Sequence, residues 1–234
     1  MRPRALVTVA VSLLLLVAGI TAAPAVDARA PPTPVCGVCD LDRTTSQGTP
    51  IVAGESSLTV TVHGDGSTTW AARVDLDAGA DALSANESLR RAVVDDAVRD
   101  GIADPSDVNS RINDGALLVD YRDPDAAERH LGVVVFTPLT PASPSAPFVI
   151  GGEGPRYLGA DLLVVRGEPG WTVRGVGSAN GPAGRLVWTR EAGVTDDDGR
   201  VFVGVTRDPV AVEAGSVLPG LRARIGRLLT GNAF

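Results

Sequence analysis

The chain has 234 residues, 28 acidic against 21 basic side chains, and a net charge of −7. Every one of the basic residues is arginine, Asp outnumbers Glu, and no basic patch with interleaved aromatics occurs, so nucleic acid is excluded as the expected partner. A lysine-free, Asp-rich surface suits strong brine, where screening shortens to about 3 Å and carboxylates hold water and ions.

The first element predicted is an export signal or a membrane anchor. Arg2 and Arg4 precede an apolar run from Ala5 to Ala23. That run is longer than the core of most signal peptides and short for a spanning helix, so both readings stand. Val26-Asp27-Ala28 offers a cleavage site. Without cleavage the run is a transmembrane helix that holds the rest outside, because the arginines stay in the cytoplasm. Either way residues 29–234 are expected to be extracytoplasmic, membrane-anchored by residues 5–23 or secreted after cleavage near Ala28.

Residues 29–50 read as a spacer. Arg29–Pro34 is Pro-rich and stiff, and Cys36–Pro50 is polar and patternless, so the β-rich domain is predicted over residues 51–215. Within the spacer, Cys36-Gly37-Val38-Cys39 is the one chemically loaded motif. An oxidising compartment favours a short-loop disulfide. A redox dithiol would need a lowered thiolate pKa, which Asp40 and Asp42 oppose. A zinc site needs four ligands, so two such chains would have to share the metal. No other cofactor is expected.

Leu58, Val60 and Val62 alternate with polar residues, as do Trp70, Ala72, Val74 and Leu76 beyond Gly64-Asp65-Gly66. Period two on both sides of an Asp-Gly turn predicts a hairpin. A helix follows over Ala85–Asp100, with Ser84 and Glu87 as a capping box. Asp104-Pro105 is read as the start of a second helix, with Val108 and Ile112 one turn apart and Gly115 closing it. Asp123-Pro124 is read as a third helical turn. Strands are predicted at Leu117–Tyr121, Leu131–Thr137, Asp161–Arg166, Trp171–Val176, Leu186–Arg190 and Val201–Thr206. The Pro-rich loop Pro138–Pro155 is too long for a simple connection. Residues 216–234 form an amphipathic helix, with Leu218, Leu221, Ile225, Leu228 and Leu229 on one face and arginines elsewhere. That face either docks on the domain or lies on a membrane.

The fold class expected is α+β: a mostly antiparallel, sandwich-like sheet structure with two to three helices inserted after the first hairpin. The three tryptophans fall in strand patterns and read as core anchors. His63 and His130 read as ordinary structure, and Asp196-Asp197-Asp198-Gly199 as a solvated turn. Asn86-Glu87-Ser88 is a sequon, so Asn86 is a candidate glycosylation site once the chain is exported.

The segments HGDGSTTWAARVDL, LLVVRGEPGWTV and GRLVWTRE, together with the lysine-free acidity, resemble uncharacterised exported or membrane-tethered domains of halophilic archaea. The resemblance covers about Ser57–Thr206 and implies no assigned activity. The function expected is a non-catalytic envelope domain that binds the cell envelope, the membrane or other surface proteins. The alternative is thiol–disulfide or metal chemistry at Cys36 and Cys39.

Overall fold

The computed structural model describes residues 30–46, 48–142, 152–175, 179–181, 184–192, 194–205 and 207–230. The predicted export segment and the middle of the Pro138–Pro155 loop lie outside these residues. Among the described residues no helix is long and apolar enough to cross a membrane.

The predicted hairpin is the spine of the structure. Strand β3 (Pro50–Val62) and strand β4 (Thr68–Ala78) pair antiparallel, with Val60 opposite Trp70. Alternation sends Leu58, Val60, Val62, Trp70, Ala72 and Val74 inward, and all six are buried. Trp70 stacks on its cross-strand partner Tyr121 at 5.7 Å and packs against Phe136 at 6.0 Å. Its indole N–H donates to Thr68 Oγ1 at 2.7 Å, so the polar edge of the largest core side chain is satisfied.

Around this hairpin lies an eight-stranded sheet. Strands β5 (Ser106–Asn113) and β6 (Ala116–Asp123) extend it beyond β4, and β10 (Leu162–Gly167), β13 (Arg185–Thr189) and β12 (Ala179–Gly181) extend it beyond β3. The β3–β10 pair is parallel and the other pairs are antiparallel. Strand β2 (Asp42–Thr44) pairs with the early part of β3. A second, four-stranded antiparallel sheet has the order β11 (Trp171–Arg174), β16 (Val210–Glu213), β8 (Val133–Phe136), β7 (Ala127–His130).

Strand β8 joins two cores by alternation alone. Val134 and Phe136 belong to the main core with Trp70. Val133 and Val135 face the other way and form a smaller core with Val210, Val212 and Ala223. Ala223 lies on the C-terminal helix α3 (Pro219–Leu229), which covers the outer face of the second sheet. Sheet, sheet and helix thus form three layers, and the α+β, mostly antiparallel, sandwich-like class is observed.

Several expected elements differ. The single helix over Ala85–Asp100 is two helices, α1 (Ala80–Ala85) and α2 (Glu87–Arg99). Asn86 is the N-cap of α2, its Oδ1 accepting from Leu89 N at 3.0 Å, so Ser84 is not the cap. The second helix is strand β5. A four-residue spacing of Val108 and Ile112 fits a helical turn and a strand face equally well, and Asp114-Gly115 is a hairpin turn with both φ values positive. The third helical turn is not observed, and strand β7 follows Asp123-Pro124; the strand expected at Leu131–Thr137 is observed as β8, with its first two residues forming the β7–β8 turn at φ of +49° and +76°. Strand β16 was not expected.

The largest departure concerns residues 29–50. Their composition reads as a spacer, yet Val35, Cys36, Val38, Cys39 and Leu41 are all buried in the main core. Strand β1 (Thr33–Pro34) pairs parallel with β9 (Arg156–Tyr157) in a small sheet completed by β15 (Val201–Phe202) and β14 (Val194–Thr195). The prolines supply no helix or alternation signal, but they fit a short edge strand. Val35 and Cys36 then donate backbone hydrogen bonds to Tyr157 and Leu158 at 2.7 and 3.2 Å.

The close approach of Gly37 to helix α2 makes that packing testable. A Cβ at Gly37 would overlap the Ala97 carbonyl oxygen and lie 2.8 Å from Gly101 N, both backbone atoms. Gly37→Ala should therefore cost about 3 kcal/mol in urea unfolding. Gly220→Ala, which meets open space in α3, should change stability by less than about 1 kcal/mol, in the stabilising direction. Equal, small effects at both positions would show that the Gly37 turn does not pack as described.

Candidate functional site

Cys36 and Cys39 form a disulfide across a single 3-10 turn, Gly37–Cys39. The turn packs against α2, β3 and β4, and the two cysteines are only 0% and 3% exposed. Two buried sulfurs bonded to each other offer no surface to an exchange partner. A zinc shared with a second chain would need both thiolates turned outward. A closed loop this short contributes about 2 kcal/mol through chain entropy. The disulfide also sets the direction in which the chain leaves the core.

That exit leads to a cleft. Asp40 follows Cys39 directly and lines a cavity of about 300 Å³ with Tyr157, Arg190, Asp198 and Arg200. The polar groups come from four local structures, Asp40 from the end of the disulfide turn. Tyr157 lies on β9. Arg190 opens the turn after β13, and Asp198 and Arg200 lie in the β14–β15 connection. Residues 157–160 supply the floor, and Gly159, at φ +66°, is needed there. A Cβ at this position would lie 2.6 Å from the Cys36 carbonyl oxygen.

The charges in the cleft are mutually engaged. Arg190 Nε meets Asp161 Oδ1 at 2.8 Å, and Asp161 Oδ2 accepts from Ser56 N at 2.7 Å. Arg200 Nη1 meets Asp198 Oδ2 at 2.8 Å, and its guanidinium lies 5.8 Å over the Tyr157 ring. The Tyr157 hydroxyl donates to Asp40 Oδ2 at 3.4 Å. Burial, and then the Asp40 charge, push the Tyr157 phenol above its ordinary pKa, so it remains a hydrogen-bond donor at neutral pH. The arrangement presents donors and carboxylates to a polar partner.

The Asp196-Asp197-Asp198-Gly199 segment is the turn that carries part of this cleft. Asp196 Oδ1 accepts from Asp198 N at 3.1 Å and from Arg200 N at 2.8 Å, which closes the turn on itself. Among the described residues no group of three or more His, Cys, Asp or Glu is placed to hold a metal ion.

His63 shows more than the sequence indicated. Its Nδ1 lies 3.2 Å from Glu168 Oε2 and its Nε2 lies 2.8 Å from Thr69 Oγ1. The order hydroxyl–imidazole–carboxylate matches that of a nucleophile relay. An acyl-transfer site also needs free N–H donors beside the nucleophile. Here the Gly64 N–H is taken by Glu168 Oε1 at 2.7 Å. The cluster pins the β3–β4 turn to the β10–β11 turn, where Trp171 covers Gly64. His130 bonds Glu128 at 3.0 Å on its own hairpin. Asn86 is exposed, and capping uses its Oδ1, which leaves the side-chain nitrogen, the atom a glycan occupies, outside the cap bond.

The sequence placed Cys36 and Cys39 as a pair but not in the core, and it did not reveal the cleft. Its lining comes from segments that meet only after three strands assemble. Comparisons with family models, curated proteins and solved structures found no match to this chain.

The cleft makes a prediction at alkaline pH. Tyr121 is also held well above the ordinary range, first by burial and then by Asp123. Below the unfolded phenol pKa of about 10 both states are neutral and no stability is lost. Above it the unfolded chain loses its protons first, so stability should fall as pH rises. Ultraviolet titration should find both phenols late, and Asp40→Asn should bring Tyr157 alone to lower pH. Ordinary titration of both in the intact protein would contradict this geometry.

Proposed function

We propose that the chain is an exported envelope protein, anchored by residues 5–23 or released near Ala28, whose extracytoplasmic domain binds a partner without catalysis. The observation that carries the reading is the disulfide enclosed in the core. Such a bond forms and persists where thiols are oxidised, outside a reducing cytoplasm. The Arg2/Arg4 and apolar N-terminal pattern points to the same side of the membrane.

The cleft beside the disulfide is the place where this reading puts a partner's polar groups. Arg190 and Arg200 recognise carboxylate or carbonyl oxygens, and Asp40 and Asp198 recognise donors. The ion pairs within the cleft hold these side chains in position before a partner arrives. The acidic, lysine-free surface fits a briny exterior, and Asn86 is the position for a glycan added on export.

Intact mass of the native protein, recovered separately from membrane, supernatant and cytoplasm, tests the proposal. The expected species is extracytoplasmic, carries the Cys36–Cys39 bond without alkylation, and either retains or lacks residues 1–28. Any glycan mass should vanish in Ser88→Ala, which removes the sequon and keeps the Asn86 cap. A cytoplasmic species with free thiols, or one with stoichiometric zinc, would overturn the reading in favour of thiol or metal chemistry.

A further inference from the structure

We propose that helix α3 and the β7–β8 hairpin tip form a docking surface for an anionic lipid bilayer. The proposal extends the envelope reading, since it needs the domain to face a membrane. Its evidence is the unusual way in which α3 docks. The sequence pattern placed the leucine face of the helix on the domain or on a membrane. The domain takes the small residues instead. Ala223 and Gly226 are buried, with the Gly226 position against Val133 and Val135 of β8. Leu221, Leu228 and Leu229 are left 53–59% exposed.

The exposed large apolar side chains among the described residues are Leu131, Val217, Leu218, Leu221, Leu228 and Leu229. All six lie on α3, its lead-in and the hairpin tip. The tip adjoins the helix, because a Cβ at Gly132 would lie 3.4 Å from Arg222 Nη1. Scattered exposed leucines need no explanation, but a single concentration of them marks an interaction surface. Leu131 and Leu218 are moreover held at φ of +49° and +53°, in the left-handed region that leucine rarely adopts. The other two non-glycine residues at positive φ among the described residues are aspartates, which tolerate it. At two points of this surface the fold therefore places a leucine where a small or polar residue would sit more easily.

Charge selects the occupant. The chain carries −7 overall, yet residues 214–234 contain no Asp or Glu and include Arg222, Arg224 and Arg227. Arg227 is committed inward, with its Nε bonded to the Asp208 carbonyl at 2.7 Å. Arg224 is exposed and Arg222 is half-buried beside the hairpin tip. Arginines beside a leucine stripe match the apolar boundary and the phosphate layer of an anionic membrane lying along the helix. The excess of carboxylates lies in the rest of the chain, which offers that phosphate layer no such contact.

The test uses the full chain and vesicles of equimolar phosphatidylglycerol and phosphatidylcholine, with pure phosphatidylcholine for comparison. Hydrogen exchange should slow over residues 217–230 with the anionic vesicles and not with the neutral ones. Leu221→Ser/Leu228→Ser, at exposed positions that leave the fold intact by circular dichroism, should abolish that protection. Arg224→Ala should weaken vesicle affinity by about fivefold. The N-terminal segment is identical in every variant, so its own partitioning cannot produce these differences. Unchanged exchange over 217–230, while export and the disulfide are intact, would overturn this docking surface and leave the envelope reading standing. Sedimentation without lipid showing a dimer that the double leucine variant breaks would also overturn it, assigning the face to a second copy of the chain.

Discussion

The structure depends on how closely two stretches of backbone approach each other at one end of the main core. Residues 33–41 run beside residues 154–159 and under the C-terminal end of α2 with almost no side chain between them. Gly37 touches the Ala97 carbonyl, and Gly159 touches the Cys36 carbonyl. Such contacts tolerate no Cβ, so glycine is required there on steric grounds. Because the backbones meet, their polar groups can pair, and Val35 and Cys36 bond the carbonyls of Tyr157 and Leu158. Val35, Val38 and Leu41 then complete the apolar core that Trp70 organises from the sheet side.

This constraint also creates the cleft. The disulfide turn delivers Asp40 to the surface opposite Tyr157, and the β14–β15 connection brings Arg200 over the same ring. Arg43, three residues past Asp40 in the cleft wall, pairs with Asp96 and Asp100 of α2 and its C-cap, so the segment is tied on its outer side as well. Exposed pairs of this kind contribute at most about 1 kcal/mol each. Their role is to orient a segment whose burial already holds it.

Much of the sheet was legible in the sequence, because residues 58–76 of the β3–β4 hairpin alternate about their turn and β10 is a short apolar run bounded by Asp161 and Arg166. The pattern is ambiguous where one spacing serves two periods. Val108 and Ile112 stand four apart, which suits a helix turn and a strand face alike, and Asp114-Gly115 ends a helix or turns a hairpin. The β7–β8 turn carried no warning, because leucine at positive φ has no sequence signature. Residues 29–50 misled for a different reason. Their prolines signal a stiff spacer and their polar residues carry no period, and only the partner segment near Tyr157 shows that the same residues pack closely. The paired cysteines were readable as a disulfide. The arginines and carboxylates of the cleft were not readable as a group, since they lie up to 160 positions apart, from Asp40 to Arg200.

Native-state hydrogen exchange at the amides of Val35 and Cys36 tests most directly whether this N-terminal segment is integral to the core. Integral packing requires these amides to exchange only through global unfolding, at the same opening free energy as the amides of Val60 and Trp70 in the central hairpin. Exchange through a separate, lower-energy opening, with the hairpin still protected, would show that residues 33–41 are an appended lead-in and would contradict the account.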